Sequence, residues 1–156
     1  MKKEIERKFL IVSDDFEQNV SSKCNIVQAY LSTAPGRTVR LRISNSSGCL
    51  TIKGGASKNG LSRLEWEKEL PLEEANELMA LCLPNKIEKT RCKVNYKGRI
   101  FEVDIFNGIN EGLKIAEIEL DSEADIFEKP KWLGQEVTGI KKYYNSQLCQ
   151  NPFTKW

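Results

Sequence analysis

Polar and apolar residues alternate with period two over most of this chain. From Lys2 to Val12, Glu4, Glu6 and Lys8 fall on one face of an extended strand, and Ile5, Arg7 and Phe9 on the other. The same alternation predicts strands over Ile26 to Ser32, Thr38 to Ser44, Cys49 to Lys53 and Leu61 to Leu70. Three more follow, over Ile87 to Tyr96, Arg99 to Phe106 and Leu113 to Leu120. Ala34-Pro35-Gly36, Ser46-Ser47-Gly48 and Lys97-Gly98 have the chemistry of turns, and Gly54 to Gly60 reads as a polar loop.

The period changes between Pro71 and Leu83. Leu72, Ala75, Leu78, Met79 and Cys82 form one helical stripe, with Glu73 and Glu74 in the first turn. Ser13-Asp14-Asp15 predicts a short helix near Phe16, Ser122 a capped helix through Phe127, and Lys141 to Leu148 a final helical or irregular segment. The tripeptide Glu4-Ile5-Glu6 recurs as Glu117-Ile118-Glu119, which hints at an internal duplication.

Composition narrows the class. A chain of 156 residues, 40% hydrophobic and 29% charged, fits one soluble domain spanning 1–156. The net charge of +2 implies no nucleic-acid-binding tail. No apolar run reaches membrane-span length, and the charged opening predicts no secretory signal. Five cysteines without a C-x-x-C pair suit reduced thiols in a cytoplasm. The absence of histidine removes His-based triads and His metal ligands.

The polar face of the predicted strands is almost wholly ionic. Its acids are Glu4, Glu6, Glu65, Glu67, Glu102, Asp104, Glu117 and Glu119; its bases are Lys8, Arg40, Arg42, Lys53, Arg63, Lys89, Arg91 and Lys93. Solvated strand faces usually mix Thr and Ser among their charges. If about eight strands closed into a wide barrel with this face inward, the lumen would be charged and wet. Such ions must pair, stay hydrated or hold a highly charged ligand, because burying each one unpaired costs several kcal/mol. Carboxylates suit a hard divalent cation, and Arg and Lys suit phosphate oxygens. Together they point to a polyphosphate with Mg²⁺ or Mn²⁺. Plain cross-strand pairing of Glu65 and Glu67 with Arg63 and Lys93, and Lys89 and Lys93 as solvated charge at the tunnel mouth, remain open readings.

Glu4-Ile5-Glu6-Arg7-Lys8 resembles the E-x-E-x-K signature of the CYTH superfamily, the triphosphate tunnel metalloenzymes. An ordered series behind it extends the resemblance along nearly the whole chain. The series includes Arg40-Leu41-Arg42, Thr51-Ile52-Lys53, Arg63 with Glu65 and Glu67, Lys89-Thr90-Arg91, Glu102-Val103-Asp104, Glu117-Ile118-Glu119 and Lys141-Lys142-Tyr143. The resemblance implies an α+β fold: a wide, closed, eight-stranded antiparallel barrel with a charged interior and helices packed outside. It implies metal ligation by Glu4, Glu6, Asp104, Glu117 and Glu119. It also implies triphosphate binding by Lys8, Arg40, Arg42, Lys53, Arg63 and Arg91, with Lys141 or Lys142 reaching in from the C-terminal segment.

Tyr30 matches a tyrosine of compact bacterial members that is suggested to work with the signature lysine. A Lys8 whose pKa is depressed by neighbouring cations, Tyr30 and the carboxylate of Glu65 are the candidate catalytic groups. The expected activity is a cytoplasmic, Mg²⁺- or Mn²⁺-dependent inorganic triphosphatase, monomeric or homodimeric, that binds neither nucleic acid nor membrane. The alternatives are a class IV-type adenylate cyclase, a thiamine or nucleoside triphosphatase, or a non-catalytic polyphosphate-binding module.

Overall fold

The computed structural model describes residues 2–156. Its strands are β1 (Lys2–Ile11), β2 (Val20–Ser32), β3 (Thr38–Ser44), β4 (Ser47–Ala56), β5 (Ser62–Pro71), β6 (Ile87–Tyr96), β7 (Arg99–Asn107), β8 (Lys114–Glu119) and β9 (Leu133–Glu136). The sheet runs β5-β4-β3-β2-β6-β7-β8-β1, all antiparallel, and a further β5–β1 pairing closes it into an eight-stranded barrel. Short β9 pairs with the end of β1, Ile11 opposite Leu133. The two Glu-Ile-Glu strands are neighbours, with Glu6 opposite Glu119 and Lys8 opposite Glu117.

Because cross-strand partners share a face, register carries the ionic positions inward together. Arg63 lies opposite Glu4, Lys53 opposite Glu65, Arg91 opposite Asp104 and Glu102 opposite Glu117. The apolar outer face is covered in two places. Helix α1 (Leu72–Met79) lays Ala75 and Met79 over Ala29, Leu41 and Leu70. On the opposite side, Phe16, Leu120 and Trp132 cover Ile5, Phe9, Val94, Phe101, Val103, Ala116 and Ile118. Between the two covers, Ile52, Leu64 and Trp66 remain exposed.

One end of the barrel is plugged. Its inward positions turn from charged to apolar at Tyr30, Ile87, Phe106 and Ile115. Tyr143, Leu148, Cys149 and Phe153 of the C-terminal segment pack against them. This segment contains a 3-10 turn at Lys141–Tyr143 and the four-residue helix α2 (Asn145–Leu148). Asn85 and Asn110 donate amide hydrogen bonds to the Cys149 and Leu148 carbonyls, at 3.0 and 3.4 Å. The C-terminal segment thus reaches toward the barrel interior, while α1 packs outside.

Local predictions fail where tertiary contacts override them. The helix expected after Ser122 is a single turn, since Asp125 is drawn to the Arg99 guanidinium and Phe127 packs edge-on against Phe9 and Phe101. Strand β2 begins at Val20 because residues from Val20 onward pair along β6, although they show no alternation of their own. The four-residue strand β9 is too short to leave a periodic signal. Lys97 and Gly98 both adopt positive φ (45° and 76°) in the predicted β6–β7 turn.

Gly48 sets how closely α1 approaches the barrel, because a Cβ there would lie 2.2 Å from the Ala75 Cβ. Gly48→Ala is expected to lower stability by about 1–3 kcal/mol through overpacking. Adding Ala75→Gly should recover part of the loss despite its helix-propensity cost. Thermal unfolding of the single and double variants measures both effects.

Candidate active site

The inward charges surround a cavity of about 590 Å³. Nine cations line it (Lys2, Lys8, Arg40, Arg42, Lys53, Arg63, Arg91, Lys93 and Arg99) against seven carboxylates (Glu4, Glu6, Glu65, Glu67, Glu102, Glu117 and Glu119). The excess of positive charge favours a polyanion.

Six strands contribute to one alternating chain of ion pairs. Lys89 lies 2.6 Å from Asp104, and Arg91 reaches Asp104 at 2.7 Å and Glu117 at 3.1 Å. Lys8 bridges Glu117 and Glu6 at 2.5 and 3.1 Å. Arg63 bridges Glu6 and Glu4 at 3.2 and 3.0 Å, and Lys53 bridges Glu4 and Glu65 at 2.9 and 2.6 Å. Arg91 also pairs with Glu102.

Arg40, Arg42 and Lys93 differ. Among carboxylates of the described residues Arg40 meets only Glu67, at 3.6 Å; its guanidinium also donates to the Thr51 hydroxyl at 3.1 Å, and its Nε is buried without a hydrogen-bond partner. Arg42 and Lys93 line the cavity and form no ion pair among the described residues; Glu102, opposite Lys93, is taken by Arg91. Most of the lining is therefore self-neutralised, while Arg42 and Lys93 present positive charge with no carboxylate partner among the described residues.

The pairing decides the protonation states. Burial opposes ionisation of Glu4, but Lys53 and Arg63 outweigh it and bring its pKa to about 2. Burial likewise opposes ionisation of Glu117 and Asp104. Lys8 and Arg91 hold Glu117, and Arg91 and Lys89 hold Asp104, below the usual carboxylate range. Lys8 is deeply buried, yet Glu117 and Glu6 raise its pKa above that of free lysine. Lys89 has a single carboxylate partner and the Arg91 charge nearby, so burial dominates and lowers it to about 8. Burial also raises the Glu65 carboxyl above its ordinary value, despite Lys53.

These states correct several sequence expectations. Lys8 is a firmly held ammonium rather than a lysine with a depressed pKa. Tyr30 sits in the apolar plug instead of lining the cavity, and burial raises its phenol pKa. Asp104 is fully buried behind Arg91 and Lys89 and does not line the cavity. Lys89 is buried rather than solvated at the mouth. Lys141 and Lys142 do not line the cavity, and the Lys142 ammonium lies over the Trp156 ring, 4.4 Å from its centroid. Glu65 and Glu67 pair with Lys53 and Arg40, not with Arg63 and Lys93. Asn145, which sequence reasoning missed, is the C-terminal residue that does line the cavity.

No three acidic or thiol side chains among the described residues converge as a preformed metal cluster, because lysine and arginine stand between the carboxylates. The donor set is nevertheless entirely hard oxygen. The Oε2 of Glu65 is buried with no aligned hydrogen bond, although Lys53 Nζ lies 2.6 Å away as an ion pair. Such a set has the donor chemistry that suits a hard divalent cation.

The CYTH domain family profile matches residues 2–147. This chain belongs to the CYTH domain family. Among its relatives, an inorganic triphosphatase of Acetivibrio thermocellus is 47% identical, with 98% of this chain and 97% of that protein aligned. An inorganic triphosphatase of Nitrosomonas europaea is 35% identical over 94% of this chain and 96% of its own. The crystal structure of an inorganic triphosphatase superposes with a TM-score of 0.68 at 30% identity, covering 96% of this chain and 95% of that one. The closed antiparallel barrel is thus the CYTH fold.

Two measurements test the CYTH ion-pair chain. Asp104→Ala leaves buried Lys89 without a carboxylate and is expected to cost about 3–5 kcal/mol in urea denaturation. Glu4 ionises near pH 2 when folded against an ordinary value of 4.5, so its stabilisation is complete above 4.5 and lost as pH falls toward 2. The stability gap between the wild type and Glu4→Gln should narrow over that interval, read as unfolding midpoints at a series of pH values.

Proposed function

We propose that the protein is a divalent-metal-dependent inorganic triphosphatase, cleaving tripolyphosphate to diphosphate and phosphate. The observation that carries this reading is the cavity itself. In it a chain of paired carboxylates and cations shares one lumen with Arg42 and Lys93, which have no carboxylate partner among the described residues, and with Arg40, held only by a 3.6 Å pair to Glu67. The close relatives named inorganic triphosphatase support it. The whole chain, 1–156, acts as one tunnel domain in the cytoplasm, as a monomer or homodimer; its five free cysteines suit a reducing compartment. No described helix is long and apolar enough to cross a membrane.

Arg40, Arg42 and Lys93 hold the polyphosphate by charge-assisted hydrogen bonds. Lys8, Lys53, Arg63 and Arg91 turn from carboxylates toward phosphate oxygens as the substrate enters. That exchange frees Glu4, Glu6, Glu117 and Glu119 to hold Mg²⁺ or Mn²⁺, with Asp104 fixing Arg91 from behind. When bound, the metal supplies charge neutralisation and a lowered pKa for a coordinated water. Water adds to the terminal phosphorus, the bridging P–O bond breaks, and diphosphate carries away the bonding pair. Glu65 accepts the proton of the attacking water, because its raised pKa makes it a stronger base than an exposed glutamate. The cations stabilise the equatorial oxygens and the leaving diphosphate.

Phosphate release from tripolyphosphate with Mg²⁺ or Mn²⁺ is the direct test, run beside ATP and thiamine triphosphate. Tripolyphosphate is expected to be turned over best; no release from it, with brisk turnover of an organic triphosphate, overturns the reading. Glu4→Gln and Glu6→Gln are each expected to lower kcat at least about 100-fold, in line with the loss of a group that stabilises transition-state charge. If both retain turnover, the carboxylates are not the metal site. Tripolyphosphate binding without turnover in the wild type would indicate a non-catalytic module.

A further inference from the structure

Asn145 is the one neutral hydrogen-bonding side chain among the described residues that line the main cavity; Gly98 and Ile100 offer none, and the rest are charged. It belongs to no barrel strand. It stands at the first position of α2, and the plug behind it fixes its main chain. Leu148 is fully buried, the Cys149 amide donates to the Asn145 carbonyl at 3.2 Å, and the Leu148 and Cys149 carbonyls accept from Asn110 and Asn85. The C-terminal segment thus holds this amide at the inner end of the cavity, beside Lys89.

Chemistry sets the orientation of the amide. The Oδ1 of Asn145 accepts a long hydrogen bond, 3.4 Å, from Lys89 Nζ. An ammonium only donates, so the oxygen must face Lys89 and the Nδ2 amide must point elsewhere. No acceptor takes that amide among the described residues, whereas the neighbouring carboxylates are committed to Lys89, Arg91 and Lys8. An uncommitted donor remains on a residue with a fixed main chain, in a cavity whose other lining side-chain donors are all cations. A further cation here would repel Lys89 and Arg91; a neutral amide adds a hydrogen bond without that cost.

We propose that Asn145 is a substrate-binding residue whose Nδ2 donates to a non-bridging oxygen of the innermost phosphate group. In this role the C-terminal plug completes the inner end of the anion site as well as closing the barrel. The inference rests on the polyphosphate reading of the cavity.

Asn145→Asp tests it, because the substituted carboxylate keeps an acceptor for Lys89 while replacing the donor with a charge that repels phosphate. Binding of tripolyphosphate without metal, followed by calorimetry, is expected to weaken at least 10-fold. KM should rise by a similar factor with metal present, and the unfolding midpoint should stay within a few degrees of the wild type. Asn145→Ala, which also loses the donor, should weaken binding in the same assay and serves if the Asp variant does not fold. Wild-type affinity in either folded variant overturns the proposal, since Asn145 would then serve only Lys89. Wild-type protein that binds tripolyphosphate without hydrolysing it defeats the triphosphatase reading, while the loss of binding at Asn145 still decides the residue's role.

Discussion

The alternation of positive and negative groups inside a closed wall is the constraint on which the rest of this structure depends. Ten side chains, from Lys89 through Asp104, Arg91, Glu117, Lys8, Glu6, Arg63, Glu4 and Lys53 to Glu65, form an unbroken series in which every internal member touches two opposite charges. An isolated ion at comparable burial would cost several kcal/mol, and one partner rarely repays that. Two partners each, at 2.5 to 3.2 Å, keep the lumen ionised without filling it with apolar side chains. The arrangement needs closure, because Arg63 meets Glu4 and Glu6 only through the β5–β1 pairing.

The same constraint gives the cavity its direction. Saturating the carboxylates leaves the charge excess on Arg42 of β3 and Lys93 of β6, with Arg40 only loosely paired to Glu67. An entering polyanion meets free cations there before it must compete with any carboxylate. Along the β1, β5 and β8 walls Glu4, Glu6, Lys8, Arg63 and Glu117 already hold one another, so a polyanion there would have to displace resting partners. Self-neutralisation along the ion-pair chain spares the lumen repulsion among its like charges.

Outside the barrel, ordinary burial supports these charges. Phe16, Trp132 and Phe127 cover β1, β6, β7 and β8, the strands carrying most of the ion-pair chain, and α1 covers β2 to β4. The apolar shell fixes the strands' registers, since a one-residue slip would exchange every carboxylate with a core side chain. The C-terminal plug shuts one end with Tyr143, Leu148, Cys149 and Phe153 and carries Asn145 into the remaining space.

Much of this was legible in the amino-acid order. Strict alternation placed Glu4, Glu6, Lys8, Arg40, Arg42, Lys53, Arg63, Glu65, Arg91, Glu117 and Glu119 on one face, and all of them line the cavity. Period two is a local property of extended backbone, so the sequence by itself determined which side chains share a face. It did not determine which partner each one meets. The high pKa of Lys8, the burial of Asp104 and Lys89, the withdrawal of Tyr30 into the plug and the stacking of Lys142 on Trp156 all follow from contacts between residues far apart in the chain. Asn145 left no periodic trace, because it lies in a four-residue helix whose position is set by what Leu148 and Cys149 bury. Faces were written locally; partners and protonation states were decided by the tertiary structure, because distance and desolvation exist only once the barrel has closed.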